Sequence, residues 1–312
     1  MPAVIRPYRG ADESALLRVW NDTLVQDPIS PETFRAKVLL DANFDPAHLL
    51  VAEQEGQVTG FVLLLRRKVP FEGVDLEPER AWITAFAVRP EAQRHGLGTA
   101  LFAAAEQAAA GARTLAIAPY VPNYFVPGVD EAAYPGALAF LEARGYQRYA
   151  RAMSMDAPLA VWNWPEGERE RAATLAERGV VIETLAPERL PEFLAFLAEA
   201  MPPDWLRHAR EILLGTTTGR SGWDQILIAR EGERIVGYSQ FDGDHFGPFG
   251  VRETHRGAGI GAALLGRTLE QMRQRGSHCA WLLWTEERAG RLYQRFGFQP
   301  SRCFVLLRKE LP

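Results

Sequence analysis

Apolar and polar positions along this chain form short β-type runs punctuated by glycine, and the runs come in two similar series. Apolar stretches at 49–53 and 58–65 flank Gly56, those at 226–230 and 235–241 flank Gly232, and each pair predicts a hairpin. Before each hairpin stand an opening strand, 3–6 or 180–185, and helical text rich in Leu, Trp and Ala, about 11–41 or 188–214. A fourth strand, 81–88 or 245–251, runs into a glycine loop and a helix, where Leu265, Leu269 and Met272 recur at i, i+4 and i+7. A fifth strand, 115–118 or 280–284, a helix ending at Gly145 or Gly297, and a final strand pair complete each series. This order predicts an α/β fold of the α+β kind with a mixed sheet, in two copies.

Sliding the sequence on itself makes the duplication explicit. Val88, Pro90, Gln93, Gly96 and Gly98 return 163 residues later as Val251, Glu253, Arg256, Gly259 and Gly261. Upstream, Ile5/Ile182, Ala52/Ala229 and Gly60/Gly237 are separated by 177; downstream, Arg144-Gly145-Tyr146 precedes Phe296-Gly297-Phe298 by 152. The stepwise shrinking offset marks loop insertions in the first half. The expected boundaries are a domain at 1–157, a linker at 158–178 holding Pro158, Pro165 and a charged run, and a domain at 179–312. At about 150 residues per domain, 312 residues suit two.

Composition adds mainly exclusions. A chain that is 47% hydrophobic and 24% charged can bury ordinary cores, which excludes a disordered protein or a small disulfide scaffold. The net charge of -4 gives no basic footprint, so no nucleic-acid partner is expected. The apolar run 61–65 stops at Arg66-Arg67, far short of the ~20 residues of a membrane helix, so no membrane partner is expected. The opening residues show no leader pattern and only Cys279 and Cys303 are present, which predicts a cytoplasmic protein. The six histidines form no metal-binding spacing, so no metal is expected. Monomer and homodimer both fit.

The glycine loops carry the first chemistry. A strand ending at Val251, then Arg256, Gly257, Ala258, Gly259, Ile260, Gly261, Ala262 and a helix, leaves unpaired amides at a helix start, which is an anion site. Val88, Gln93, Arg94, His95, Gly96, Leu97 and Gly98 repeat it in the first half. Gly257-x-Gly259-x-x-Ala262 also satisfies a dinucleotide fingerprint, with Glu286 after the next strand. The first copy lacks the leading glycine, however, and both loops come after four strands rather than opening a βαβ unit.

Element order, the loop and the Leu292-Tyr293-x-x-x-Gly297-Phe298 stretch resemble the GNAT superfamily of acetyl-CoA-dependent N-acetyltransferases, in a tandem arrangement of two GNAT-like acyl-CoA N-acyltransferase domains. The resemblance implies acetyl-CoA as donor, with the pyrophosphate on the loop amides and the pantetheine arm along Phe249, Gly250 and Val251, or Ala87 and Val88. It implies transfer of acetyl to a primary amine of a small molecule, with Tyr293 protonating the CoA thiolate. The equivalent of Tyr293 in the first half is Leu141, which cannot donate a proton, and Tyr120, Tyr124 and Tyr134 are the tyrosines near enough in sequence to substitute. The second half is therefore expected to be catalytic and the first non-catalytic or degenerate. His245 is the candidate base for its near-neutral pKa, or else a half-buried histidine at a strand start. Glu286 stands where the family usually has Asn and is a candidate for attracting an ammonium. The alternatives are a non-catalytic acyl-CoA-binding protein and a dinucleotide-dependent oxidoreductase.

Overall fold

The computed structural model describes residues 3–71 and 73–312. In chain order the first series comprises β1 (Val4–Pro7), α1 (Glu13–Thr23), α2 (Pro31–Phe34), β2 (Leu49–Gln54), β3 (Gln57–Leu65), β4 (Arg80–Val88), α3 (Leu97–Ala108), β5 (Thr114–Ile117), β6 (Val129–Asp130), α4 (Pro135–Ala143) and β7 (Gln147–Pro158). The second comprises α5 (Glu168–Glu177), β8 (Val180–Thr184), α6 (Leu190–Ala200), α7 (Pro203–Thr217), β9 (Ile226–Glu231), β10 (Arg234–Asp242), β11 (His245–Val251), α8 (Ile260–Gln274), β12 (Cys279–Thr285), α9 (Glu287–Arg295) and β13 (Gln299–Glu310).

Two compact units form, one of Met1–Ala152 with Cys303–Pro312, the other of Met153–Arg302. The first unit's strands run β1-β2-β3-β4-β5-β13, with β6 also on β13. The second unit's run β7-β12-β11-β10-β9-β8. Each sheet is covered on both faces. In the first unit α3 and α4 pack on one side and α1 and α2 on the other, each over its own apolar core. In the second, α5, α8 and α9 cover one face and α6 and α7 the other.

These boundaries differ from the expected ones at both ends of the second half. Residues 303–310 close the first unit: Arg308, Lys309 and Glu310 pair antiparallel with Ala116, Leu115 and Thr114. Residues 153–158 belong to the second, where Met155, Ala157 and Pro158 pair with Leu282, Ala280 and Cys279. The physical reason is that a duplicated fold has two equivalent closing strands, and cross-strand pairing, not chain order, selects the edge each one joins. The stretch 158–178 is not a linker but part of the second unit. Leu159 N–H donates to His278 O at 2.8 Å, Trp162 Nε1 to Phe296 O at 2.9 Å, and Leu175 of α5 is buried in the core under α8.

The central strands of each unit part company. β4 and β5 are parallel from Arg80/Thr114 to Ile83/Ile117, after which β4 continues to Val88 paired with β3 only. β11 and β12 pair at His245/Trp281, and β11 then runs on to Val251 through Pro248, which has no N–H to offer a neighbour. Both sheets thus hold a stretch of strand that leads straight to the glycine loop and is unpaired on one edge, the edge facing the next central strand.

At the opposite edge of each sheet sits an ion cluster with exchanged signs. In the first unit Arg6 binds Asp12 (2.7 Å) and Glu53 (2.6 Å). In the second, the positions 177 residues on are Glu183, Arg189 and Arg230, and Glu183 takes Arg230 at 2.7 Å and Arg189 at 3.4 Å.

Candidate active site

Both loops are built alike. A strand ending in Val88 or Val251 is followed by a 3-10 turn (Pro90–Ala92 or Glu253–His255) and then by Gln93 or Arg256. These two side chains fold back on the strand: Gln93 Nε2 donates to Val88 O at 2.9 Å, and Arg256 Nε to Val251 O at 3.3 Å. Left-handed residues come next, Arg94 (φ 64°) and Gly96 (φ 83°) in one loop, Gly257 (φ 81°) and Gly259 (φ 89°) in the other. Gly96 and Gly259 are the N-caps of α3 and α8, where the first helical hydrogen bonds run from Ala100 N–H to Gly96 O and from Ala263 N–H to Gly259 O. Among the described residues the amides of Ile260, Gly261 and Ala262 take no backbone partner, so they point their donors out of the helix start.

The paired glycines have different duties. A Cβ on Gly96 or Gly259 would meet nothing within 4 Å, so conformation and open space, the room an anion needs, set their identity. A Cβ on Gly98 would lie 3.5 Å from the Phe140 ring, and on Gly261 3.3 Å from the Phe249 ring, so these two serve close packing. Arg178, which follows α5, donates to Ala258 O at 3.3 Å and brings a second guanidinium to the second loop. Sequence reasoning missed it because the stretch 158–178 read as a linker.

Opposite the unpaired stretch of β11 stands Tyr293 of α9. Its ring sits 5.8 Å from that of Phe246, 6.1 Å from Phe249 and 5.5 Å from Phe298. The residue is 8% exposed, and burial pushes the phenol well above its usual range, which keeps it protonated as a proton donor must be. The corresponding place in the first unit is filled by Leu141, fully buried in the α3/α4 core. The tyrosines that were candidates to replace it have other ties. Tyr120 is buried, donates to Asp41 at 3.1 Å and accepts from Asn43 at 2.8 Å. Tyr134 donates to Asp27 at 3.0 Å, and the Tyr124 carbonyl accepts from Lys37 at 3.0 Å.

His245 lies where β11 and β12 last pair, its ring 4.4 Å from that of Trp281. Glu286 is exposed and is the N-cap residue of α9, without a side-chain cap bond. Phe249 and Gly250 lie where β11 is paired with β10 alone, and Ala87 where β4 is paired with β3 alone. Trp205 and Met201 close over Gly250 so tightly that a Cβ there would come within 2.7 Å of either side chain.

The Acetyltransferase (GNAT) family model matches residues 15–125, and the Acetyltransferase (GNAT) domain model matches 222–300. The chain belongs to the GNAT acetyltransferases. Both of its loops therefore lie in GNAT domains, one in each matched segment. Three solved structures share the tandem fold of this GNAT chain. The GCN5-related glucosamine N-acetyltransferase region of a fungal multi-domain GH3 β-N-acetylglucosaminidase superposes with a TM-score of 0.78 at 20% identity, over 98% of this chain. This GNAT chain spans 38% of the length of that fungal protein. A GCN5-related N-acetyltransferase from Sphaerobacter thermophilus gives 0.65 at 22% identity, over 99% of this chain and 96% of that one. A tandem GNAT protein from the clavulanic acid biosynthesis pathway gives 0.64 at 18%, over 100% and 99%. No curated protein sequence matches the chain. No helix among the described residues is long and apolar enough to cross a membrane.

Proposed function

We propose that this GNAT chain transfers acetyl from acetyl-CoA to a primary amine of a small molecule, that turnover occurs in the second unit, and that the first unit holds acyl-CoA without turnover. The observation that carries the reading is Tyr293 facing the unpaired strand beside the second loop, where the first unit has Leu141.

Acyl-CoA supplies the activated thioester. The amides of Gly257 to Ala262, with Arg256 and Arg178 nearby, suit the pyrophosphate, and the bare edge of β11 from Phe249 to Val251 suits the amide-bearing arm. The amine nitrogen attacks the carbonyl carbon, the C–S bond breaks, and the Tyr293 hydroxyl gives its proton to the departing sulfur, to be reprotonated from solvent. The proton lost by the amine passes to a base, for which His245 at the closed end of the split is the candidate. Glu286, exposed at the exit of β12, supports attraction of a cationic acceptor.

The test is thiol release from acetyl-CoA with glucosamine, glycine and 1,4-diaminobutane as first acceptors. Tyr293→Phe should lower kcat by about 10²-fold with the KM for acetyl-CoA unchanged. An unchanged kcat overturns the assignment.

A further inference from the structure

β10 presents its side chains alternately to the two faces of the second sheet. Ser239 faces α8, where its hydroxyl meets that of Thr268. Tyr238 and Gln240 face the other way, toward α6 and α7, and both are buried, at 0% and 2% exposure. The Tyr238 ring is set among Phe193 (5.6 Å), Phe196 (6.1 Å) and Trp205 (6.0 Å). Yet the Tyr238 hydroxyl and the Gln240 carbonyl oxygen have no hydrogen-bond partner. Buried polar atoms left in this state destabilise a protein, so each calls for an explanation.

The first unit shows that the fold does not require them. Its β3 is the counterpart of β10: Phe61 pairs with Ala87 as Tyr238 pairs with Gly250, and Leu63 pairs with Leu49 as Gln240 pairs with Ile226. Phe61 and Leu63 fill the same two places with apolar side chains, Phe61 stacked on Trp20 at 5.2 Å. Only the unit with the tyrosine opposite its unpaired strand puts polar atoms there.

A carboxylate stands on the helix packed over the tyrosine: Asp204 directly precedes Trp205, whose ring lies 6.0 Å from that of Tyr238. Asp204, in the first turn of α7, is half-buried; desolvation raises the pKa of its carboxyl, and its charge acts on the Tyr238 phenol in the same direction. His208 stands one turn along α7 beside Asp204, and is also drawn to Glu211 at 3.6 Å. Gly250, next to Tyr238 across the β10/β11 pair, leaves the space above it to Trp205 and Met201, and β11 runs on from there to the glycine loop. Carboxylate, amide oxygen and phenol oxygen can all accept hydrogen bonds, so a donor would satisfy the last two, and a cation would also offset the carboxylate's desolvation.

We propose that Asp204, Tyr238 and Gln240 form an acceptor subsite of the second unit that takes a second ammonium of the substrate, making a diamine the preferred acceptor class. The proposal rests on the second unit being the one that turns over. Tyr238 and Gln240 set specificity at a distance from the reacting nitrogen, with Trp205 packed on the Tyr238 ring.

Three amines of one length separate the outcomes: 1,4-diaminobutane, 4-amino-1-butanol and pentylamine, which place an ammonium, a hydroxyl and a methyl at the same point. Acetyl transfer should favour them in that order, with the diamine ahead of pentylamine by about tenfold or more in kcat/KM. Asp204→Asn should abolish that preference by lowering kcat/KM for the diamine. The double variant Tyr238→Phe, Gln240→Leu, which copies the first unit's residues, should weaken it while keeping or raising Tm. Calorimetric titration of the CoA-loaded protein with 1,4-diaminobutane forms a second arm. Diamine binding lost in both variants supports the subsite even if no amine is acetylated, an outcome that defeats the catalytic reading alone. Acetylation without preference in the wild type, a preference retained in both variants, or no diamine binding overturns the subsite.

Discussion

The two glycine loops share their latch, turn and helix cap, yet one stands opposite a tyrosine and the other opposite a leucine. What the duplication keeps is backbone geometry, since a loop that presents amides works only in one conformation. What it releases is the set of side chains that would meet a reactant: Tyr293 against Leu141, Tyr238 against Phe61, Gln240 against Leu63. The edge ion clusters add a third behaviour. Arg6 with Asp12 and Glu53, and Glu183 with Arg189 and Arg230, keep the arrangement while exchanging every sign, because an ion pair depends on complementarity and not on which side carries which charge.

The comparison breaks most sharply at the loops. Gly259→Glu sets a carboxylate among the amides and should weaken acetyl-CoA binding in the second unit roughly 100-fold. Calorimetric stoichiometry should fall by one site, and kcat should fall with Gly259→Glu and not with Gly96→Glu. Loss of turnover in Gly96→Glu instead would place catalysis in the first unit.

The edge clusters come next. Arg6 grips both oxygens of Asp12 and holds its carboxyl below the usual carboxylate range, so Asp12→Asn should cost about 1–3 kcal/mol at neutral pH. The folded pKa is depressed, so this contribution is complete above the ordinary carboxylate pKa and disappears as pH falls through the folded value. Denaturant melts of wild type and variant should therefore converge in acid. Arg189→Ala, at the longer and more open pair, should stay within about 0.5 kcal/mol.

Smaller effects sharpen the latch and the turn. Arg256→Ala and Gln93→Ala should each raise the acetyl-CoA Kd of their own unit by about 2- to 10-fold, one ordinary hydrogen bond's worth. Arg94 occupies the left-handed place that Gly257 holds in the second loop, so Arg94→Gly should stabilise the first unit by about 0.5 kcal/mol, read as a rise in Tm. A fall in Tm would mean that the arginine side chain contributes more than its backbone costs.

Much of this organisation was legible in the sequence. Strand 245–251 was bounded to the residue, and most other strands to within one, because apolar β-formers and glycine turns leave little choice of period. The duplication located both loops. The exchanged closing strands were illegible, since two similar strands carry no mark of which edge they join. The part played by 158–178 was hidden for a related reason: Trp162 and Leu175 are buried by partners more than 80 residues away, while local charge reads as a solvated linker. Tyr238 and Gln240 looked like ordinary strand residues, because what distinguishes them is an absent partner, which no pattern of residue types reveals.

The borrowed closing strand also sets a timetable. The edge of β5 is complete only when Arg308, Lys309 and Glu310 arrive, so the unit whose helices and hairpin leave the ribosome first is the last to be finished. At about 5–20 residues per second, the wait between β5 and its partner is roughly 10–40 s, during which a strand edge stands open to chaperones and to other chains. A stop codon placed after residue 302 would leave the second unit whole and injure the first.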